Sequence, residues 1–77
     1  MAKHDDNFLK WFGNRIKELR YQKNLSQEML AEIAGIDRTY IGGVERGERN
    51  PGLLNVKKLS DALSITPKDL FDDDFKF

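Results

Sequence analysis

Arg38, Thr39 and Arg46, with Gly42 and Gly43 between them, share one side of any helix drawn through residues 38–46. An arginine can pair bidentately with guanine, and a threonine can hydrogen-bond a base or touch a thymine methyl. Gln27 follows Ser26, where a helix would open, and an amide beside the free N–H groups of a helix start suits a phosphate. These groups bind; they do not catalyse. The chain has one histidine, His4, and no cysteine. A cysteine nucleophile, a Ser/His/Asp set, an H-E-x-x-H pair and a phosphate-binding glycine loop are all missing from the sequence. The expectation is a protein that is not an enzyme and has no metal, cofactor or evident small-molecule ligand. His4 is expected in the tail, and Asp72, Asp73 and Asp74 read as a solvated charge run.

The elements that must hold these residues follow from local signals. Phe8, Phe12, Ile16 and Leu19 recur at helical spacing, which predicts a first helix from Asn7, its N-cap, to about Lys23, with Asn24 ending it. Lys10, Arg15, Lys17 and Lys23 fall off that stripe and are expected in solvent, and Gly13 is a mild weakness mid-helix. Ser26 opens a second helix with Leu30, Ala31 and Ala34 inward and Gly35 as its stop. Asp37 caps a third, with Ile41 and Val44 inward and Gly47 at its end. A fourth runs from about Leu54 to Leu63. Thr66 and Pro67 start a short fifth, ending near Leu70 and Phe71. No segment alternates with period two, so the fold class is all-α, a single five-helix domain.

The second and third helices form a unit of their own. Two helices that cross steeply need a small residue where they meet, here Ala31, and a short turn with one positive φ, here Gly35. The third helix then buries a narrow stripe and frees the opposite side, which a DNA major groove ~12 Å wide admits. Adjacent glycines on that side cost about 0.8–1 kcal/mol each relative to alanine. Close backbone approach to DNA, room for Arg38 and Arg46 to swing, or a frayed helix that orders on binding would each account for them.

Size and charge set the remaining bounds. The 77 residues allow one domain with a marginal core and no disulfide to staple it. The domain reads as residues 7–71, between a loose tail at 1–6 and an acidic, aromatic tail at 72–77. Net charge is zero, but Lys10, Arg15, Lys17, Arg20 and Lys23 make the early part basic, and Asp69 and Asp72–Asp74 make the end acidic. A neutral chain still binds nucleic acid if one side is basic. No signal peptide and no apolar stretch of membrane-spanning length is present, and a cytoplasmic location is expected.

Residues 8–71 resemble the Cro/C1-type (Xre-like) helix-turn-helix family of phage repressors and bacterial regulators. The motif runs in order through Leu25-Ser26-Gln27-Glu28, Leu30-Ala31, Ala34-Gly35-Ile36-Asp37, Tyr40-Ile41, Val44-Glu45-Arg46-Gly47 and Asn50-Pro51. The run Asp37 to Ile41, followed by Val44 to Asn50, is similar to one branch, the controller proteins of restriction–modification systems. The resemblance implies a phage lambda-repressor-like fold and a dimeric transcriptional regulator that binds a palindromic operator in double-stranded DNA. It implies that Arg38, Thr39 and Tyr40 reach bases or nearby phosphates, with Arg46 at bases and Arg49 near the backbone; Tyr40 could equally be half-core. It also implies a buried ion pair between Arg20 and Glu45. Because one such motif reads only a half-site, a homodimer is expected, and Leu54, Ile65, Phe71, Phe75 and Phe77 are its interface candidates. RNA polymerase is an open further partner. A generic Xre-like repressor or antitoxin-type regulator, and a protein-interaction module that has lost DNA, remain as alternatives.

Overall fold

The computed structural model describes residues 3–72, with side chains from Asp5 onward. Five helices follow one another: α1 (Lys3–Gln22), α2 (Gln27–Ala34), α3 (Arg38–Glu45), α4 (Leu53–Ala62) and α5 (Pro67–Leu70). No strand occurs among the described residues.

α1 starts earlier than Asn7. Asp5 and Asp6 lie in its first turn, where negative charge is favoured by the helix dipole, so the helical part of the chain reaches back into residues 3–6. The buried stripe of α1 also differs by one residue from the expected one. Leu9, Phe12, Ile16 and Leu19 are buried, and Phe8 is 37% exposed. The observed spacing of three, four and three follows the 3.6-residue period closely. Phe8 lies beside that stripe and stacks on Trp11 (centroids 5.4 Å apart) and Phe71 (6.4 Å).

The helix ends are settled locally. Ser26 Oγ accepts from the Met29 N–H, Asp37 Oδ1 from Thr39 and Thr66 Oγ1 from Asp69. α1 to α4 all end on a left-handed residue, namely Asn24, Gly35, Gly47 and Ser64. In each case the next residue sends its N–H back to a carbonyl five positions earlier: Leu25 to Arg20, Ile36 to Ala31, Glu48 to Gly43 and Ile65 to Ser60, all within 3.1 Å. This closure satisfies carbonyls that a helix end would otherwise strand. Ser64 does the same work without the freedom of glycine, and no compositional signal marked it.

The core gathers Phe12, Ile16 and Leu19 of α1, Leu30 and Ala31 of α2, Ile41 and Val44 of α3, and Leu59, Leu63 and Leu70 from the last part of the chain. Arg15, expected in solvent, crosses to the end of α5: its Nε donates to the Leu70 carbonyl at 3.1 Å and its Nη2 to that of Asp69 at 2.9 Å. A cation there complements the negative end of the helix and ties α1 to α5. Arg15→Ala is expected to lose both bonds and about 2 kcal/mol of stability. A urea midpoint equal to wild type would show that the clasp contributes nothing.

Two interface candidates are partly used within the monomer. Ile65 packs half-buried against the core. Phe71 stacks on Phe8, Trp11 and Phe12 and keeps 41% of its surface exposed. Ile65 is occupied because the closure after α4 turns it back onto the helices. Leu54 is 77% exposed and remains available. Phe75 and Phe77 lie outside the described residues.

Candidate nucleic-acid interface

The turn between α2 and α3 is short because two residues do most of its work. Gly35 takes φ +70° and Asp37 caps the next helix from an extended conformation. α3 then buries Ile41 and Val44. Its outer side presents Arg38 and Thr39, both exposed, with Gly42 and Arg46 following Arg38 at intervals of four.

Gly42 and Gly43, expected on the exposed side, are buried. The covering atoms belong to other residues. A Cβ on Gly42 would lie 3.1 Å from Arg46 Nη1 and 3.6 Å from Gln27 Oε1, and one on Gly43 would lie 2.7 Å from Arg49 Cγ. The glycines do not fray α3, which is continuous from Arg38 to Glu45. Arg46 is exposed and pairs with Glu48 at 3.0 Å. The Arg49 guanidinium lies over the Tyr40 ring, 5.5 Å from its centroid. Tyr40 itself is half-buried against the core.

Beneath this surface is a charged anchor. Arg20 Nε donates to Glu45 Oε2 at 2.7 Å and Nη2 to Oε1 at 2.9 Å, while Nη1 donates to the Leu25 carbonyl at 2.9 Å. The two side chains are only 7% and 3% exposed. The Arg20 guanidinium also lies 4.7 Å from the centroid of Tyr21. The hydrogen-bonded Glu45 carboxylate raises the already high pKa of Arg20, and burial opposes it. Gln27, expected to face a phosphate, donates through Nε2 to Glu45 Oε1 at 3.0 Å. The Glu45 carboxylate at the end of α3 therefore joins α1 to the first residue of α2, and Arg20 extends the network to the loop before α2. This network fixes how α3 stands on the domain.

The structure thus brings Arg38, Thr39, Arg46 and Arg49 to the outer side of α3 or its border and sets Gln27 next to Gly42. Tyr40 serves as packing below Arg49. Two glycines make close contacts between helices of which the sequence held no sign, although Gly47 was expected to end α3. Gly13, the supposed weak point of α1, is where α1 meets α3: a Cβ there would collide with the Val44 carbonyl oxygen. Gly47 meets α1 in the same way, and a Cβ there would lie 2.8 Å from Lys10 Cα. A contact between positions so far apart in sequence leaves no local mark.

With this geometry in view, known proteins match closely. The helix-turn-helix family HTH_3 matches residues 16–70. The control protein C.BamHI of Bacillus amyloliquefaciens is 48% identical over 62 residues, spanning 79% of this chain and 76% of that protein. The crystal structure of the restriction–modification controller protein C.AhdI from Aeromonas hydrophila superposes with a TM-score of 0.80 at 57% identity, covering 82% of this chain and 96% of that one. SinR, a master regulator for biofilm formation solved in complex with DNA, matches with a TM-score of 0.74 at 35% identity, over 79% of this chain and 98% of that one.

Proposed function

The chain belongs to the helix-turn-helix family, and from that premise we propose that it is a sequence-specific transcriptional regulator, a controller of a restriction–modification system that binds a palindromic operator as a homodimer. Its five-helix domain is of the phage-repressor type, and its similarity to C.BamHI and C.AhdI supports the controller role. The observation that carries the reading is the outer side of α3. It is held from below by a buried network and presents Arg38, Thr39 and Arg46 free of the core. In this reading α3 enters the major groove. Arg38 and Arg46 meet base edges, Thr39 meets a base or phosphate, and Arg49 over Tyr40 lies against the backbone. Gln27, already bonded to Glu45 through one N–H, keeps its second N–H for a phosphate.

Dimerisation follows from the half-site logic: two copies of α3 must stand ~34–36 Å apart to read successive turns of one groove. Leu54, exposed beside the similarly exposed Leu53, is a candidate for that contact, with the exposed part of Phe71. In this reading the protein works where the DNA is, in the bacterial cytoplasm. No helix among the described residues is long and apolar enough to cross a membrane. No step of this function calls for catalysis.

Arg38→Ala tests the assignment. The variant is expected to lose about 1–3 kcal/mol of affinity for the operator and little for a shuffled duplex of the same length. Equal losses on both duplexes would make Arg38 a phosphate contact. No loss on either would remove the side chain from the interface.

A further inference from the structure

The middle of α3 has no side chains of its own. Gly42 and Gly43 are helical, and the glycines with positive φ are Gly35 and Gly47. Their backbone therefore makes no demand that alanine could not meet, and alanine forms helix more readily. The missing Cβ atoms instead make space. Over Gly43 the space holds the Arg49 chain, with Cγ, Nε and Cδ at 2.7, 3.5 and 3.6 Å from the position a Cβ would take. Over Gly42 it holds Arg46 Nη1 at 3.1 Å and the Gln27 amide at 3.6 and 3.9 Å. Both arginines are held from a second side as well, Arg46 by Glu48 and Arg49 by the Tyr40 ring.

We propose that Gly42 and Gly43 are positioning residues for operator binding: by leaving the outer side of α3 bare, they let Arg46 and Arg49 lie along it and present their guanidinium groups to the DNA, Arg46 to base edges and Arg49 to the backbone. The inference rests on the DNA-binding reading above and specifies how that surface selects its operator. A Cβ at 43 would push Arg49 off its seat and away from Tyr40. A Cβ at 42 would shift only the end of Arg46, so its effect is the smaller of the two. Over Gly42 the obstructing atom is the far end of Arg46; over Gly43 it is Arg49 Cγ, so a Cβ there displaces the whole exposed Arg49 side chain while meeting no backbone atom.

The test measures affinity for the operator, and for a panel of its single-base-pair variants, with Gly42→Ala, Gly43→Ala, Arg46→Ala, Arg49→Ala and the doubles Gly42→Ala/Arg46→Ala and Gly43→Ala/Arg49→Ala. Thermal melting is recorded for each protein. Gly43→Ala is expected to melt no lower than wild type and to bind the operator and every duplex of the panel roughly tenfold more weakly, the scale of one charge-assisted hydrogen bond, because Arg49 lies against the DNA backbone. Gly42→Ala is expected to lose less affinity but to rank the panel differently, because Arg46 meets base edges. Each double variant should bind no worse than its arginine single, because the glycine acts through that arginine. An unchanged affinity and ranking would overturn the proposal. So would a lowered melting temperature, which would place the glycines in packing, or additive losses in the doubles, which would mean that the helix backbone itself approaches DNA. Wild-type protein that fails to distinguish operator from shuffled DNA would instead overturn the functional reading beneath it.

Discussion

Glu45→Ala is expected to cost about 3–5 kcal/mol of stability, because it leaves the Arg20 guanidinium buried with its main partner gone. A chain of this length holds roughly 4–12 kcal/mol in total at about 0.05–0.15 kcal/mol per residue, so the variant is expected to be largely unfolded or close to it. The loss exceeds that of an exposed ion pair because both side chains are almost wholly covered, so water cannot replace the missing carboxylate. Gln27 would also lose its partner at the start of α2. The effect is distinguishable from simple loss of packing. Replacing both members, as Arg20→Met with Glu45→Leu, removes the stranded charge and should recover much of the stability. Urea titration of the three proteins decides the matter. A Glu45→Ala midpoint equal to wild type, or a double variant no better than the single one, would contradict the role assigned to the pair.

The second large effect reverses a familiar sign. At an exposed position inside a helix, glycine to alanine stabilises by about 1 kcal/mol. Gly13→Ala is expected to destabilise by about 3 kcal/mol, toward the upper end of what forced overpacking costs. The added Cβ would meet backbone: the Val44 carbonyl oxygen and, at 2.6 Å, that of Glu45. Neither atom can rotate away, so α1 and α3 must separate. That separation strains the Arg20–Glu45 bonds and tilts α3, and operator affinity should fall along with the melting temperature. At ~4–8 °C per kcal/mol for a domain of this size, the shift is well outside error. Melting at or above the wild-type temperature would show that the helices do not approach as closely as described.

Glu45 and Gly13 both act through partners distant in sequence, which local patterns do not reveal. Caps and turns were legible because their chemistry is local: Ser26, Gly35, Asp37 and Thr66 each act within a few residues of where they stand. The inward stripes of α2 and α3 were legible from their period, except that Ala34, expected inward, is only half-buried at the end of α2. The stripe of α1 was shifted at its start, with Leu9 buried where Phe8 was expected, since alternative spacings of three and four fit the same apolar positions. The start of α1 was missed because the dipole preference for Asp5 and Asp6 competes with the cap signature of Asn7. Gly13 and Arg15 looked like a defect and a solvated charge because their partners, Val44 and Leu70, lie far along the chain. The Arg20–Glu45 pair was expected only through family resemblance, since no local pattern links the two positions. Gly42 and Gly43 were noticed for their cost, but the arginine side chains that occupy the space above them become evident only in three dimensions.

The central claim, specific operator binding through α3, is tested most directly by fluorescence anisotropy with the duplex just upstream of the protein's own gene and a shuffled control, each at two salt concentrations. Tight binding to the native duplex is expected, with a marked fall in affinity as salt rises and far weaker binding to the shuffled one. Equal and weak binding to both duplexes, with little dependence on salt, would contradict the claim and would turn attention to a protein partner for the same surface.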